Sequence, residues 1–296
     1  MSLIFCGEGM SFSDKSFSLA IEAKEPELTP KGKKLARFIL DNPTRAVFLA
    51  TRDLADKAGV SEATVVRFVR QIGYNTYSEF KTELRQHIDS ELTLIERKEM
   101  TISETDQSGL EQTVAKEIDN LKSLLSSIDR EQAEKIVELL SSPASVYIVG
   151  SRLSYHAAYY MGWAMTKIRK DVNILKGSDR TSLDWLTVAR EDSVVVVVAI
   201  SRYPNELIRV GKYAKQLGMK LVVIADSIAC PLIGFSHYHL VTRPKTIPFY
   251  ESSSSMLCLI IHLLNEVIRK KGDEVLSHQE KLEKAYREND ILFNLD

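Results

Sequence analysis

The first third of the chain spaces its apolar residues three or four positions apart, as amphipathic α-helices do. One helix is predicted to start at Thr29-Pro30 and to end at Asn42-Pro43. A second occupies residues 51–58 and ends at Gly59, and a third begins at Ser61, whose hydroxyl suits an N-cap. The pattern therefore predicts short helices joined by tight turns.

The third helix is predicted to have two contrasting faces. Its buried face consists of the apolar residues at helical spacing, Val65, Phe68, Val69 and Ile72. Its opposite face carries Glu62, Ala63, Val66, Arg67 and Arg70. A further helix over residues 78–88 completes a small helical domain.

Two short helices separated by Gly59-Val60-Ser61 match the helix-turn-helix signature, in which the second helix enters the DNA major groove. Arg67 and Arg70 suit guanine edges or phosphates, and Ser61 and Thr64 can reach phosphate oxygens or base edges. The alternative is a helical bundle whose arginines are merely solvated. The candidate DNA-binding residues are Ser61, Glu62, Ala63, Thr64, Arg67 and Arg70.

From residue 130 onward the sequence pattern predicts alternating strands and helices. Strands are predicted at residues 145–150, 172–175, 193–200, 220–225 and 237–242. Residues 193–200 are apolar on both faces, as a central parallel strand must be. The fold class is therefore an all-α helix-turn-helix domain followed by an α/β three-layer domain with an open, mostly parallel sheet.

These patterns predict five segments along the chain. They are a flexible lead-in over 1–24, the helix-turn-helix domain over 25–90, a helical linker over 91–125, the parallel-sheet domain over 126–270 and a charged C-terminal helix over 271–296.

Two loops of the second domain are candidates for an anion site. Ligands of open parallel sheets bind beyond the carboxyl ends of the strands, next to helix N-termini. Residues 151–154 and 201–206 both supply hydroxyls, an arginine and backbone N–H groups at such a place, which suits a phosphate. The alternative is that Ser151 and Ser201 only cap the helices that follow them.

Charge and composition narrow the function classes. The formal net charge is −1, yet residues 31–85 carry eleven basic against six acidic side chains, which suits a polyanionic partner for the first domain. Three dispersed cysteines favour neither a disulfide framework nor a zinc site, so we expect a reducing cytoplasm. The N-terminal residues lack a signal-peptide pattern, and no apolar run approaches the ~20 residues that span a bilayer.

The two halves together resemble a known family. The stretch LADKAGVSEATVVRFVRQIGYNTYSEFKTEL resembles the N-terminal helix-turn-helix of RpiR-type bacterial transcription regulators, with its run of VSEATVVRF, IGY and SEFK. The second half resembles, in layout more than in letters, the sugar isomerase (SIS) domain with which such regulators sense phosphosugars. The resemblance implies a dimer or tetramer that binds operator DNA and responds to a sugar phosphate or related anionic sugar metabolite.

The resemblance also places the ligand site, with one departure. Gly150, Ser151 and Ser154 stand at the positions of the hydroxyl-rich loop after the first strand. The second loop of the family reads Ser-x-Ser-Gly-x-Thr, whereas here only Ser201 is kept, so Arg152 or Arg202 would have to compensate for the lost hydroxyls. The candidate ligand residues are Ser151, Arg152, Ser154, Ser201, Arg202, Tyr203 and Asn205. The residues 251–255 could add contacts from a third side.

An enzyme of the sugar isomerase kind is the main rival, because isomerisation needs a positioned general base. Glu or His candidates are Glu206, Glu251, His237, His239 and His262, and none stands in a recognisable motif. His237 and His239 could share one face of a strand, as a metal pair would, without an evident third ligand. We therefore expect no catalytic residue, no metal and no cofactor. A pure scaffold would leave the open face of the third helix without a purpose.

Overall fold

The computed structural model describes residue 21 and residues 24–88, 109–142, 144–179, 181–242 and 252–292, without the side chains of residues 85–87. Most of the predicted lead-in, the first part of the predicted linker and Glu251 lie outside these residues. The chain divides into two compact units, Met1–Thr105 and Asp106–Asp296.

The first unit is helical. Thr29 caps its first helix by accepting a hydrogen bond from the Gly32 amide at 3.2 Å, and Pro30 occupies the first turn. Its described helices, after a short 3-10 turn at Glu25–Glu27, are α1 (Pro30–Asp41), α2 (Pro43–Ala46), α3 (Thr51–Ala58), α4 (Glu62–Gln71) and α5 (Tyr77–Ile88).

A tight turn joins α3 to α4. Gly59 adopts φ 64°, a left-handed conformation that glycine enters without steric cost. The turn is closed by the Val60 amide, which donates to the Ala55 carbonyl at 2.9 Å, and by the Gly59 amide, which donates to Asp56 at 3.2 Å. Ser61 then caps α4, so the predicted helix-turn-helix is present.

The core of the first unit packs α4 against the other helices. Phe68 from α4 meets Phe80 from α5 edge to face, with ring centroids 6.4 Å apart. The Tyr77 hydroxyl donates to the Leu49 carbonyl at 3.0 Å, and burial, reinforced by Asp53, raises the pKa of Tyr77 to about 12. These contacts fix which face of α4 turns outward.

The second unit alternates strands and helices. A helix over residues 130–141 was not predicted from the sequence, and it packs Ile136 and Leu140 into the core. The elements of this unit are α6 (Leu110–Ser127), α7 (Arg130–Ser141), β1 (Val146–Gly150), α8 (Ser154–Thr166), β2 (Val172–Lys176), α9 (Ser182–Thr187), β3 (Val194–Ala199), α10 (Asn205–Gln216), β4 (Lys220–Ala225), β5 (Tyr238–Val241), α11 (Ser254–Lys271) and α12 (Asp273–Glu288).

The five strands form one parallel sheet in the order β2-β1-β3-β4-β5. Every residue of β3 is buried, because helices cover both faces. The predicted fold class is confirmed, and each predicted strand is found within two residues of its expected ends. Within the described parts of the chain, no helix combines the length and apolar character needed to cross a bilayer.

Gly150 allows α8 to pack closely on the end of β1. A Cβ atom at this position would lie 2.6 Å from the Ala158 Cβ and 2.8 Å from the Ser154 carbonyl oxygen. Both distances are shorter than real contacts, so the glycine sets how near the loop after β1 lies to α8.

We expect Gly150→Ala to lower the free energy of unfolding of the second unit by about 1–3 kcal/mol, as overpacking does. Urea unfolding followed by tryptophan fluorescence measures this directly, because both tryptophans, Trp163 and Trp185, lie in that unit. Gly234→Ala is the control: its added Cβ meets nothing within 4 Å, and its effect should stay within about 0.5 kcal/mol. Equal losses in both variants would contradict the close-packing argument.

Candidate DNA-recognition helix and ligand cleft

The outward face of α4 carries five of the six predicted DNA-binding residues. Ser61, Glu62, Ala63, Arg67 and Arg70 are all exposed. The Arg67 Nε atom donates to the Ala63 carbonyl at 3.3 Å, which aligns the side chain along the helix. Their arrangement presents two guanidinium groups on one open helical surface.

Thr64 is placed differently from the prediction. It is buried, and its hydroxyl lies 2.9 Å from the Ser61 hydroxyl, while its amide donates to the same Ser61 oxygen at 3.3 Å. The helix start uses these groups for capping, because the first amides of a helix have no partner within it. Thr64 therefore supports the cap and does not offer its hydroxyl to the surface.

The second unit has a topological switch point where its strand order reverses. β1 and β3 are neighbours, yet the chain leaves β1 for α8 on one face of the sheet and leaves β3 for α10 on the other. Such a switch point leaves a gap beyond the carboxyl ends of the two strands. The two predicted loops, residues 151–154 and 201–206, follow these two strands, and we call the space between the loops the crevice.

The first loop contacts the second through a hydroxyl and a carboxylate. The Ser151 hydroxyl donates to Glu206 Oε1 at 2.7 Å, across the crevice. This hydrogen bond is the leading cause of the lowered pKa of Glu206, and Arg152 and Arg209 lower it further by their charge. Glu206 is therefore held in its ionised form.

Ser154, which was predicted to contact the ligand, is buried beneath the first loop. Its hydroxyl donates to the Ser151 carbonyl at 2.9 Å and accepts the Ser151 amide at 3.1 Å. Both bonds are buried, so the side chain shapes the turn and is not presented to a ligand.

The second loop is organised by Asp226, which directly follows β4. The Ser201 amide donates to Asp226 Oδ2 at 2.7 Å, and the Ser201 hydroxyl donates to the same oxygen. The Tyr203 hydroxyl donates to Asp226 Oδ1 at 2.8 Å. Burial raises the pKa of Asp226 against the effect of these three donors, and burial beside Asp226 raises the pKa of Tyr203.

The capping alternative for the two serines is wrong. Neither α8 nor α10 has a side-chain hydrogen bond at its N-cap, where Leu153 and Pro204 stand. The Ser151 and Ser201 hydroxyls instead donate to carboxylates from other elements of the fold.

Basic side chains surround the crevice. Arg152 and Arg202 are both exposed and both have positive φ, 51° and 62°, which is uncommon outside glycine. Lys176, at the end of β2, lies with its Nζ 5.7 Å from the centre of the Tyr155 ring. Asn205 is exposed at the start of α10.

The remaining candidate residues lie elsewhere. His237 Nδ1 accepts the Leu221 amide at 3.0 Å, and the His239 amide donates to Gln132 at 2.8 Å, so both support the sheet edge. His262 is exposed on α11. In the described part of the chain, no cluster of His, Cys, Asp and Glu could hold a metal ion.

The serines at the start of α11 have a partner on α6. Ser252 donates to Glu117 Oε2 at 2.5 Å, and Ser254 donates to the same atom. The predicted third-side contribution of residues 251–255 thus meets a protein carboxylate, while residue 251 itself lies outside the described residues.

Sequence reasoning missed Asp226. A polar residue that directly follows an apolar strand of a parallel sheet lies at the same edge as the loops that follow the neighbouring strands. The sequence IAD at 224–226 has this pattern.

A helix-turn-helix unit followed by a parallel-sheet unit with a crevice at its switch point defines a two-domain DNA-binding protein. The sequence model of the rpiR-family helix-turn-helix domain matches residues 16–91, and that of the SIS domain matches residues 139–265. The chain therefore belongs to the RpiR family of helix-turn-helix regulators that carry a SIS domain.

A sequence relative agrees with this assignment, and two solved structures share the fold. An HTH-type transcriptional regulator of Clostridium perfringens is 25% identical over 274 residues, covering 90% of this chain and 96% of its own. The structure of Vibrio vulnificus NanR complexed with ManNAc-6P is similar at a TM-score of 0.57 and 20% identity, over 94% of this chain and all of that one. The sugar isomerase domain of an RpiR transcription factor from Sphaerobacter thermophilus aligns with 58% of this chain and 97% of its own, at a TM-score of 0.55 and 20% identity.

Asp226→Asn should remove a pH dependence of stability. Because burial raises the pKa of Asp226 in the folded state, folding favours its protonated form, and that contribution is lost as pH rises through the folded pKa. The variant should therefore gain stability relative to the unaltered chain as the pH rises above about 4, the ordinary pKa of an aspartate. Urea unfolding across this range measures the difference, and parallel curves would contradict it.

Proposed function

We propose that this regulator binds operator DNA through α4 and that an anionic sugar metabolite, a phosphosugar or a related sugar acid, bound in the SIS crevice alters that binding. The observation that carries the ligand half is the meeting of two Ser-Arg loops at the switch point, joined by the 2.7 Å bond from Ser151 to Glu206. NanR, the structural neighbour, was solved with a phosphosugar, which supports this ligand class.

The DNA half rests on the exposed face of α4. Arg67 and Arg70 are assigned to base edges or phosphates, and Ser61, Glu62 and Ala63 flank them at the helix start. Thr64 is assigned a supporting role, since it braces the cap from which these residues project.

The crevice is assigned to binding and not to catalysis. Glu206 is the candidate base that lies there, and its lowered pKa makes it a weak proton acceptor. A general base works best when its pKa is near the operating pH. A sugar-phosphate isomerase remains the rival function, and the effector screen below separates the two.

We further assign the protein to the cytoplasm, where its operator lies, and to a homodimer or homotetramer. An exposed apolar stripe on α6 supports self-association: Leu110, Val114, Ile118 and Leu125 are all exposed. An open groove of about 850 Å³ adjoins it, lined by α6, α7 and α11. Exposed apolar surface of this kind marks protein contacts.

In an oligomer, ligand and DNA are coupled by linkage. A ligand that binds one arrangement of the subunits more tightly shifts the population toward that arrangement. The factor by which the ligand changes the affinity for the operator equals the factor by which the operator changes the affinity for the ligand. Half-sites one helical turn apart tolerate little change in spacing.

Arg67→Ala should weaken binding to the specific operator about 5- to 150-fold, which corresponds to about 1–3 kcal/mol for a lost base contact. Binding to random DNA should weaken much less. Fluorescence anisotropy with labelled duplexes at several salt concentrations measures both affinities. Arg287→Ala, at an exposed arginine on α12, is the control and should change neither. Equal losses on both duplexes would show that Arg67 contacts phosphate alone.

A panel of phosphosugars and sugar acids should include a compound that raises the melting temperature and changes DNA retention at the same concentration. Thermal shift followed by anisotropy on each hit measures both effects. A hit that is consumed and leaves DNA retention unchanged would support the isomerase instead.

A further inference from the structure

One apolar side chain on the open face of α4 has no role in the functions assigned so far. Val66 is 40% exposed, and within the described residues of the first unit it belongs neither to the buried core nor to the partly buried side chains packed against that core. The helix buries Val65, Phe68 and Val69 on its other side. Val66 therefore adds little to the packing of the described part of this unit.

Val66 lies at the centre of the face that carries the candidate DNA-binding residues. Residues three and four positions apart are neighbours on a helix surface, so Glu62 precedes Val66 and Arg70 follows it along one row. Ala63 and Arg67 form the adjacent row, where the Arg67 Nε atom donates to the Ala63 carbonyl at 3.3 Å. All five residues are exposed, and Ala63 and Val66 are the apolar part of an otherwise charged surface.

An exposed valine gives a helix no local advantage. A β-branched side chain loses rotamer freedom in a helix, and valine accordingly has a lower helix propensity than alanine. Among the described residues of the first unit, Leu40 on α1 is the other large apolar side chain that is exposed. Single exposed apolar residues are common on protein surfaces, so the position of Val66 on α4, and not its exposure alone, carries the argument.

The DNA major groove presents an apolar group in one of its four bases. This group is the C5-methyl of thymine, whereas the other edge groups are hydrogen-bond donors and acceptors. In helix-turn-helix proteins the N-terminal residues of the second helix contact base edges. Val66 is in the N-terminal half of α4 (Glu62–Gln71), and the short side chain of Ala63 beside it lets a base edge approach closely.

Resting on the proposed binding of operator DNA through α4, we infer that Val66 is a specificity-determining residue that contacts the C5-methyl group of a thymine in the operator. Its two Cγ methyl groups supply the apolar surface that the thymine methyl buries, and no other base offers that methyl group at the groove edge. Glu62 and Arg67 are then placed to contact the polar edges of the neighbouring base pairs.

The decisive experiment removes the methyl group from the DNA and the side chain from the protein. The unaltered full-length chain first selects duplexes from a random pool, and each thymine of a selected duplex is then replaced in turn by deoxyuridine, which pairs in the same way but lacks the methyl group. Fluorescence anisotropy measures the Kd of each duplex. At one thymine of the site, the replacement should weaken binding by the unaltered chain about fourfold, which is the effect of one buried methyl group.

Val66→Ala should bind the selected duplex more weakly than the unaltered chain and should distinguish thymine from deoxyuridine at that position by less than about 1.5-fold. Its melting temperature should not fall, because alanine has the higher helix propensity and the replaced side chain is exposed. Leu40→Ala is the matched control: it removes an exposed apolar side chain from α1 and should keep the fourfold preference.

The outcomes separate this inference from the function on which it rests. A fourfold preference that persists in Val66→Ala, or a selected duplex in which no thymine responds to loss of its methyl group, overturns the role of Val66 and leaves DNA binding through α4 intact. Equal loss of the preference in Leu40→Ala also overturns that role, since the effect would then not be specific to α4. Failure of the unaltered chain to enrich any duplex from the pool overturns both proposals.

Discussion

Parallel pairing of β1 with β3 is the constraint on which the second unit depends. Because the helices that follow β1 and β3 pack on opposite faces of the sheet, one helix cannot cover both loops, and the two loops lie next to each other. The valine-rich β3 makes this possible, since its residues are buried on both sides and its register with β1 is fixed over four residue pairs. The side chains of the two loops then determine the chemistry that the switch point offers.

Hydroxyl–carboxylate pairs recur at the ligand edge of this unit. Ser151 with Glu206, Ser201 with Asp226, and Ser252 with Glu117 each join elements distant in the chain. Serine at such places is commonly interpreted as a helix cap or a phosphate contact, yet here the protein's own carboxylates take the hydrogen bonds. Two loops of similar sequence thus direct their serine hydroxyls to carboxylates from different parts of the chain.

Periodicity and turn chemistry were enough to predict the helix-turn-helix, the five strands and their parallel arrangement, because α4 and β3 are locally consistent with their environment. The helix at Arg130–Ser141 was not predicted, although its buried residues Ala133, Ile136, Val137 and Leu140 follow helical spacing. Thr64 was predicted to contact DNA and Ser154 to contact the ligand, although each hydroxyl has a partner three residues away. The sequence IAD at 224–226 could have placed Asp226 at the edge where the loops lie, but its contacts with Ser201 and Tyr203 depend on the pairing of β3 with β4.

The hydrogen bond from Ser252 to Glu117 indicates that α6 is an integral part of the second unit. Leu124 of α6 belongs to the same apolar core as α7 and α11, and the Glu117 carboxylate neutralises the beginning of α11. A recombinant fragment that begins at the first strand, or even at α7, would expose that core and leave the 18-residue α11 without its N-terminal anion. A fragment of the second unit should therefore begin before Leu110, so that it includes α6 together with the sheet.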